Sequence, residues 1–243
     1  FLSAPKDSVC EIHEYQSLSV PPCSQFKNFS KKLVNIKPSG RIFLNDFVRK
    51  ELDFSDSVPS IYRDMGVDRE LYMPPPISPE FDLLYSGSIN GRKGLLKELT
   101  RLAKIGFSLL LVGEANSDIR GVLGKYKRVK FTGRLARDEL PSIYSLAKAG
   151  LNFTPNLYPF KYQTSTKTLE YCAAGLGLVS NKYEWIESFS KRNNFEPIWL
   201  DKLNSLDDFY EYHFSIPEMS RYSWDNILNQ AQLETFISSL LSN

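Results

Sequence analysis

The sequence predicts an α/β protein built on a parallel sheet. Two observations carry this. Apolar runs alternate strictly with helical patterns over residues 81–180, and a proline-rich break separates that region from a thinner version of the same pattern. The break is residues 73–79, Met-Pro-Pro-Pro-Ile-Ser-Pro. Proline fixes φ and donates no backbone hydrogen bond, so such a run reads as a stiff, extended linker.

After the break, residues 81–87 (FDLLYSG) form the first strand candidate. Leu95, Leu96, Leu99 and Leu102 recur at helical spacing. Residues 107–113 (FSLLLVG) give a second strand and 129–132 a short third. Leu140, Ile143, Tyr144 and Ala147 mark the next helix. Residues 150–154 read as a fourth strand, 167–174 as a helix and 177–180 as a fifth strand. A sheet of this kind binds ligands at the carboxyl ends of its strands.

Before the break, residues 8–12 (SVCEI), 41–44 and 58–62 are strand candidates and 24–33 a helix. That is about half of a Rossmann-like domain. At the far end, Trp224, Ile227, Leu228 and Ala231 form an apolar helical stripe, which Leu233, Ile237 and Leu240 continue. The reading divides the chain into a partial domain over 1–73, a linker over 74–80, a full domain over 81–215 and a closing helix over 216–243.

Composition narrows the function. Of the 243 residues 42% are hydrophobic and 24% charged, which fits a globular chain rather than a disordered one. A net charge of +2 is too near neutral to argue for nucleic acid or an acidic polymer as partner. Three widely spaced cysteines, Cys10, Cys23 and Cys172, fit neither a disulfide framework nor a zinc site and suggest a reducing compartment. The longest strongly apolar stretch, 107–112, is far too short to cross a bilayer, and the opening residues lack the regions of a secretory signal. A cytoplasmic location is therefore expected.

Four constellations have the residue types for chemistry. In Gly87-Ser-Ile-Asn-Gly-Arg-Lys-Gly94, glycines permit a tight strand-to-helix turn, and Arg92 and Lys93 sit beside a helix N-terminus, a setting suited to a diphosphate. In Gln163-Thr-Ser-Thr-Lys-Thr-Leu-Glu170, one of Thr164, Ser165 and Thr166 caps the following helix. Lys167 and Glu170 there share a face expected to be exposed, where the carboxylate would accept hydrogen bonds from a ribose diol. Val112-Gly-Glu114 and Phe131-Thr-Gly-Arg134 follow strands and should line the same sheet edge. Cys10-Glu-Ile-His-Glu14 places His13 at a strand end, where it suits proton transfer or phosphate binding. Taken singly, each also fits an ordinary turn or packed residue. No Asp-X-Asp pair occurs, so a diphosphate would be neutralised by Lys, Arg and helix N-termini, with no metal.

Taken in order, these pieces resemble the retaining glycosyltransferases of family 4. Glu11-Ile-His13-Glu14 resembles the strand end that carries the family's active-site His, and Met65-Gly-Val-Asp68 its Asn-Gly-Val-Asp. Residues 84–94 resemble its Gly-Arg…Lys-Gly diphosphate loop. Lys167-Thr-Leu-Glu-Tyr-Cys-Ala-Ala-Gly175 resembles the Lys-X-X-Glu-Tyr-X-Ala-X-Gly signature. The resemblance covers about residues 8–240 and implies a GT-B fold, with a Rossmann-like C-terminal domain of parallel sheet and a partial N-terminal one lacking its first half. It implies Lys93 and Arg92 on the diphosphate, Glu170 on the ribose, the backbone near Arg134 at the base and the amides around Thr164, Ser165 and Thr166 facing sugar and phosphate, with Ser88, Glu114 and Lys167 also on the donor. His13 would be catalytic. The family's phosphate-binding Arg is Ser88 here, and a second family Glu is Tyr162. The implied reaction moves a sugar from a nucleotide diphosphate-sugar to a glycan or lipid-linked acceptor, in cell-surface polysaccharide synthesis. It needs no further cofactor and admits peripheral association with the inner membrane face. A non-catalytic subunit that binds a nucleotide-sugar or a partner remains the alternative.

Overall fold

The computed structural model describes residues 10–19, 23–33 and 37–242. They form two compact units, each with its own parallel sheet. The first unit extends to Gly66 and takes in Tyr162–Thr164 and the segment from Ser220 onward; the second comprises Val67–Lys161 and Ser165–Met219.

In the first unit, β1 (Ile12–Tyr15), β2 (Gly40–Phe43) and β3 (Ser60–Tyr62) lie side by side in chain order, all parallel. Helices α1 (Ser24–Leu33) and α2 (Asp46–Leu52) connect them. The first strand begins four residues later than 8–12 suggests; Ser8 and Val9 lie outside the described residues. Helix α2 is too short for an apolar stripe, but its start is written in Asn45, whose side chain accepts from the Val48 amide.

The second unit contains β4 (Phe81–Ser86), α3 (Leu95–Ile105), β5 (Leu109–Val112), α4 (Ser117–Leu123), β6 (Val129–Gly133), α5 (Leu140–Tyr144) and β7 (Ala147–Asn152). It continues with α6 (Thr166–Ala173), β8 (Gly177–Ser180), α7 (Glu184–Asn193), β9 (Ile198–Trp199) and α8 (Leu206–Tyr210). Strand order is β6-β5-β4-β7-β8-β9, with every pair parallel. The chain works outward from β4 to β6, then returns to the other side of β4 through β7. This is the doubly wound order, and its ligand crevice falls at the carboxyl ends of β4 and β7, where the direction reverses.

Burial follows from the pattern. Strand β5 is buried along its whole length, as a central parallel strand covered on both faces should be. Helix α3 buries Leu95, Leu99, Leu102 and Ala103, one stripe at helical spacing, against Phe107, Leu109 and Leu111. The proline run packs within this unit: the Met73 amide donates to the Ala173 carbonyl at 3.1 Å, and Pro74 and Pro75 lie against Gly175.

Two local expectations differ. The helix begun at Leu140 ends at Tyr144, and Ala147 opens β7, opposite Phe81. Ala147 fits either spacing; the pairing with β4 decides. The closing stripe is two helices, α9 (Trp224–Gln230) and α10 (Leu233–Leu241), because Gln232 takes a left-handed conformation at φ 50°. Among the described residues no helix is long and apolar enough to cross a membrane.

Gly150 in β7 is a close-approach position: a Cβ there would overlap the Tyr171 ring. Gly150→Ala should destabilise the protein by about 1–3 kcal/mol, seen as a lowered midpoint in chemical denaturation. An unchanged midpoint would mean that Tyr171 is free to move.

Candidate functional site

Three loops meet at the carboxyl edge of the second unit's sheet. The Gly87 amide donates to the Val112 carbonyl at 2.8 Å, and the Gly113 amide to the Gly133 carbonyl at 2.8 Å. The Gly87 carbonyl lies where a Cβ of Gly113 would sit, and Gly113 has φ 141°. Only glycine accommodates that approach and that backbone conformation together. The ends of β4, β5 and β6 are thereby laced into one shelf. The Asn116 amide donates to the Asn90 side chain at 3.0 Å, joining the β4–α3 and β5–α4 loops.

Several sequence-predicted residues converge on this shelf. Arg92 turns inward and donates from one guanidinium nitrogen to the Phe153 carbonyl at 2.8 Å, bridging the ends of β4 and β7. Ser165, rather than either neighbouring Thr, caps α6: its hydroxyl accepts from the Thr168 amide at 3.3 Å and donates to Asn152 at 3.0 Å. Thr166 is the first residue of α6. Lys167 reaches back to Gly87, where a Cβ would stand 3.2 Å from Nζ, and its ammonium lies 5.5 Å from the Tyr85 ring centre. Burial, followed by repulsion from Arg92, lowers the Lys167 pKa to about 8, against a smaller opposing pull from Glu170. No ion pair within 4 Å compensates it among the described residues.

The expectation that Lys167 and Glu170 share a solvent-exposed face is corrected. Glu170 is 9% exposed and Lys167 half-buried, because α6 packs closely against β7 and β8. Glu170 is held from two sides: the Tyr144 hydroxyl donates to Oε2 at 3.0 Å and Arg137 to Oε1 at 3.2 Å. Arg137 also bonds Asp68 through Nε. Burial pushes the Tyr144 phenol far above its ordinary range, so it stays protonated as a donor.

Other predicted residues are less engaged. Lys93, Glu114 and Arg134 are exposed. Ser88 is exposed, its hydroxyl donating to the Asn90 carbonyl at 3.2 Å. Two predicted residues belong to the first unit. Thr164 donates to Asp64 at 2.7 Å. His13, 7% exposed, bonds Glu11 at 2.7 Å through Nε2 and meets the Tyr15 hydroxyl at 3.4 Å. Among the described residues no group of three His, Cys, Asp or Glu side chains is placed to hold a metal. Arg137 escaped the sequence reading because its partners, Asp68 and Glu170, are 69 and 33 residues away. In the sequence Tyr144 marks a turn of an apolar helical stripe, with nothing local to point to Glu170.

Fold and sheet edge are those of the GT-B class, whose domains are Rossmann-like. Residues 92–206, just under half of the chain, match the family model described as glycosyl transferase-like. Among solved structures, HepE of Anabaena with UDP and glucose is similar at a TM-score of 0.68 and 17% identity, over 93% of this chain and 71% of that one. AviGT4, a glycosyltransferase involved in avilamycin A biosynthesis, gives 0.59 and 16%, over 84% of this chain and 64% of that one. WaaG, a glycosyltransferase involved in lipopolysaccharide biosynthesis, gives 0.56 and 15%, over 95% and 69%. The chain thus spans less than two thirds of AviGT4. No curated protein matches the sequence significantly.

An uncompensated, half-buried ammonium is costly to the folded state. Lys167→Met should therefore raise the melting temperature of the ligand-free protein at pH 7. Because the Lys167 pKa is lowered on folding, the unfolded chain binds more protons, and the parent gains stability from this group as pH rises from about 8 toward 10.5. The advantage of the methionine variant should shrink over that window in thermal melts. A variant less stable than the parent at pH 7 would show that Lys167 is not strained.

Proposed function

We propose that this chain carries the donor-binding part of a retaining glycosyltransferase that moves a sugar from a nucleoside diphosphate to a glycan or lipid-linked acceptor. The observation that carries the reading is Lys167: an ammonium with no ion pair within 4 Å among the described residues, brought to the switch point of a doubly wound sheet beside Arg92 and the start of α6. Such a place suits a diphosphate, which supplies the missing negative charge.

In this proposal Lys167 and Arg92 face the diphosphate, with Lys93 adding a screened contact from the rim. The amides at Ser165 and Thr166 complete the anion site. Glu170 accepts from the ribose. Glu114 and Arg134 lie toward the base, and Ser88 lines the phosphate loop without replacing an arginine. His13 is the catalytic residue, and Thr164 belongs with the donor-binding residues. The cations and helix N-terminus hold the departing diphosphate in place of a metal. HepE is described in complex with UDP and glucose, which supports a nucleotide-sugar as the donor. A cytoplasmic enzyme associating peripherally with the inner membrane face, and acting in polysaccharide synthesis, fits this reading.

Calorimetry with UDP, GDP and ADP tests it. At least one should bind, and its affinity should fall as pH rises past about 8, where Lys167 loses its charge. Affinity for the bare nucleoside should stay flat over that range. Lys167→Met should cost more diphosphate affinity than Lys93→Ala, because exposed charges are screened by salt. If no diphosphate binds at millimolar concentration, the reading is wrong.

A further inference from the structure

Glu170 ends a chain of hydroxyl groups whose proton directions follow from the donors and acceptors present. The Ser86 amide donates to the Tyr171 hydroxyl at 2.8 Å. The Ser86 hydroxyl lies 3.0 Å from Tyr171 and 3.0 Å from Tyr144. Tyr144 spends its single proton on Glu170 Oε2, so it accepts from Ser86. Ser86 has then spent its proton and accepts from Tyr171, which in turn accepts from the Ser86 amide. Every hydroxyl proton points toward the carboxylate, and each bond polarises the next. On the other side, Arg137 holds Oε1 and is itself held by Asp68.

Resting on the proposed role of Glu170, we propose that Tyr144 and Arg137 are positioning residues that set the Glu170 carboxylate to read a vicinal diol. A carboxylate has about four lone-pair sites, two on each oxygen. Tyr144 occupies one on Oε2 and Arg137 one on Oε1. Each oxygen keeps one acceptor site, and two neighbouring hydroxyl groups on a ribose match that pair. An unclamped carboxylate rotates and satisfies one hydroxyl at a time. The clamp thus makes recognition depend on both hydroxyls, and Asp68 enters as the support of Arg137.

The test compares UDP with 2′-deoxy-UDP and 3′-deoxy-UDP by calorimetry on the full chain, with GDP and ADP and their deoxy forms run in parallel. The parent should prefer the ribose form about ten- to hundredfold over either deoxy form, the range expected for a hydrogen bond to a charged group. Glu170→Gln should remove most of that preference. Tyr144→Phe keeps the ring and removes only the donor; Arg137→Gln changes an exposed side chain. Both should cut the preference to less than about threefold while leaving the affinity for inorganic diphosphate unchanged, a readout that general loosening of the fold would move. Arg137→Lys should restore part of it. If both variants keep the parent's full preference while Glu170→Gln loses it, the clamp is overturned and the ribose role of Glu170 stands. If the parent shows no preference, or Glu170→Gln retains it, the ribose role fails and the clamp with it.

Discussion

The site depends on Ser86, the last residue of β4. Its amide and hydroxyl both engage Tyr171 of α6, and its hydroxyl also meets Tyr144 of α5. One small buried side chain therefore ties the central strand to the helices on either side of β7. Tyr144 and Tyr171 pack edge to face at 5.4 Å, and Gly150 in β7 leaves room for the Tyr171 ring. A larger residue at 86 would push the rings apart; one without a hydroxyl would leave two buried phenols short of a partner. Because α6 carries Ser165, Lys167 and Glu170, its position relative to β4 sets the geometry of all three.

The same helix brings opposite electrostatic situations within one turn. Glu170 is satisfied by Tyr144 and Arg137, while Lys167 lies against Gly87 with no ion pair within 4 Å among the described residues. A protein selected for stability alone would exchange Lys167 for an apolar residue. In the proposed donor site, a cation kept there without an ion pair among the described residues trades stability for anion binding. Burial lowers the Lys167 pKa, and Arg92 adds to the shift from the adjoining loop.

Five strands and three helices of the second unit were legible along the sequence because a buried parallel strand announces itself as an apolar run and a packed helix as a stripe. Short elements were not. Helices α4 and α8 are too brief to show a period, though Asn116 and Ser205 sign their starts by capping. Strand β9 has two residues and is defined only by pairing with β8. The break at Gln232 needed a non-glycine residue at positive φ, which no local rule would place there.

By itself, the sequence determined which residues form the site's loops: Arg92 in a glycine turn after a strand, and Ser165, Lys167 and Glu170 at the head of a helix, all by short-range spacing. What the tertiary structure alone decided is how those residues are used. It turned Arg92 onto Phe153, buried the face of α6 expected to meet solvent, left Lys167 without an ion pair within 4 Å among the described residues, and gave Glu170 two partners, Tyr144 and Arg137. The physical reason is range. Propensity, capping and periodicity act over a few residues, whereas burial and hydrogen-bond partnership are set by strands and helices that meet only when the sheet closes.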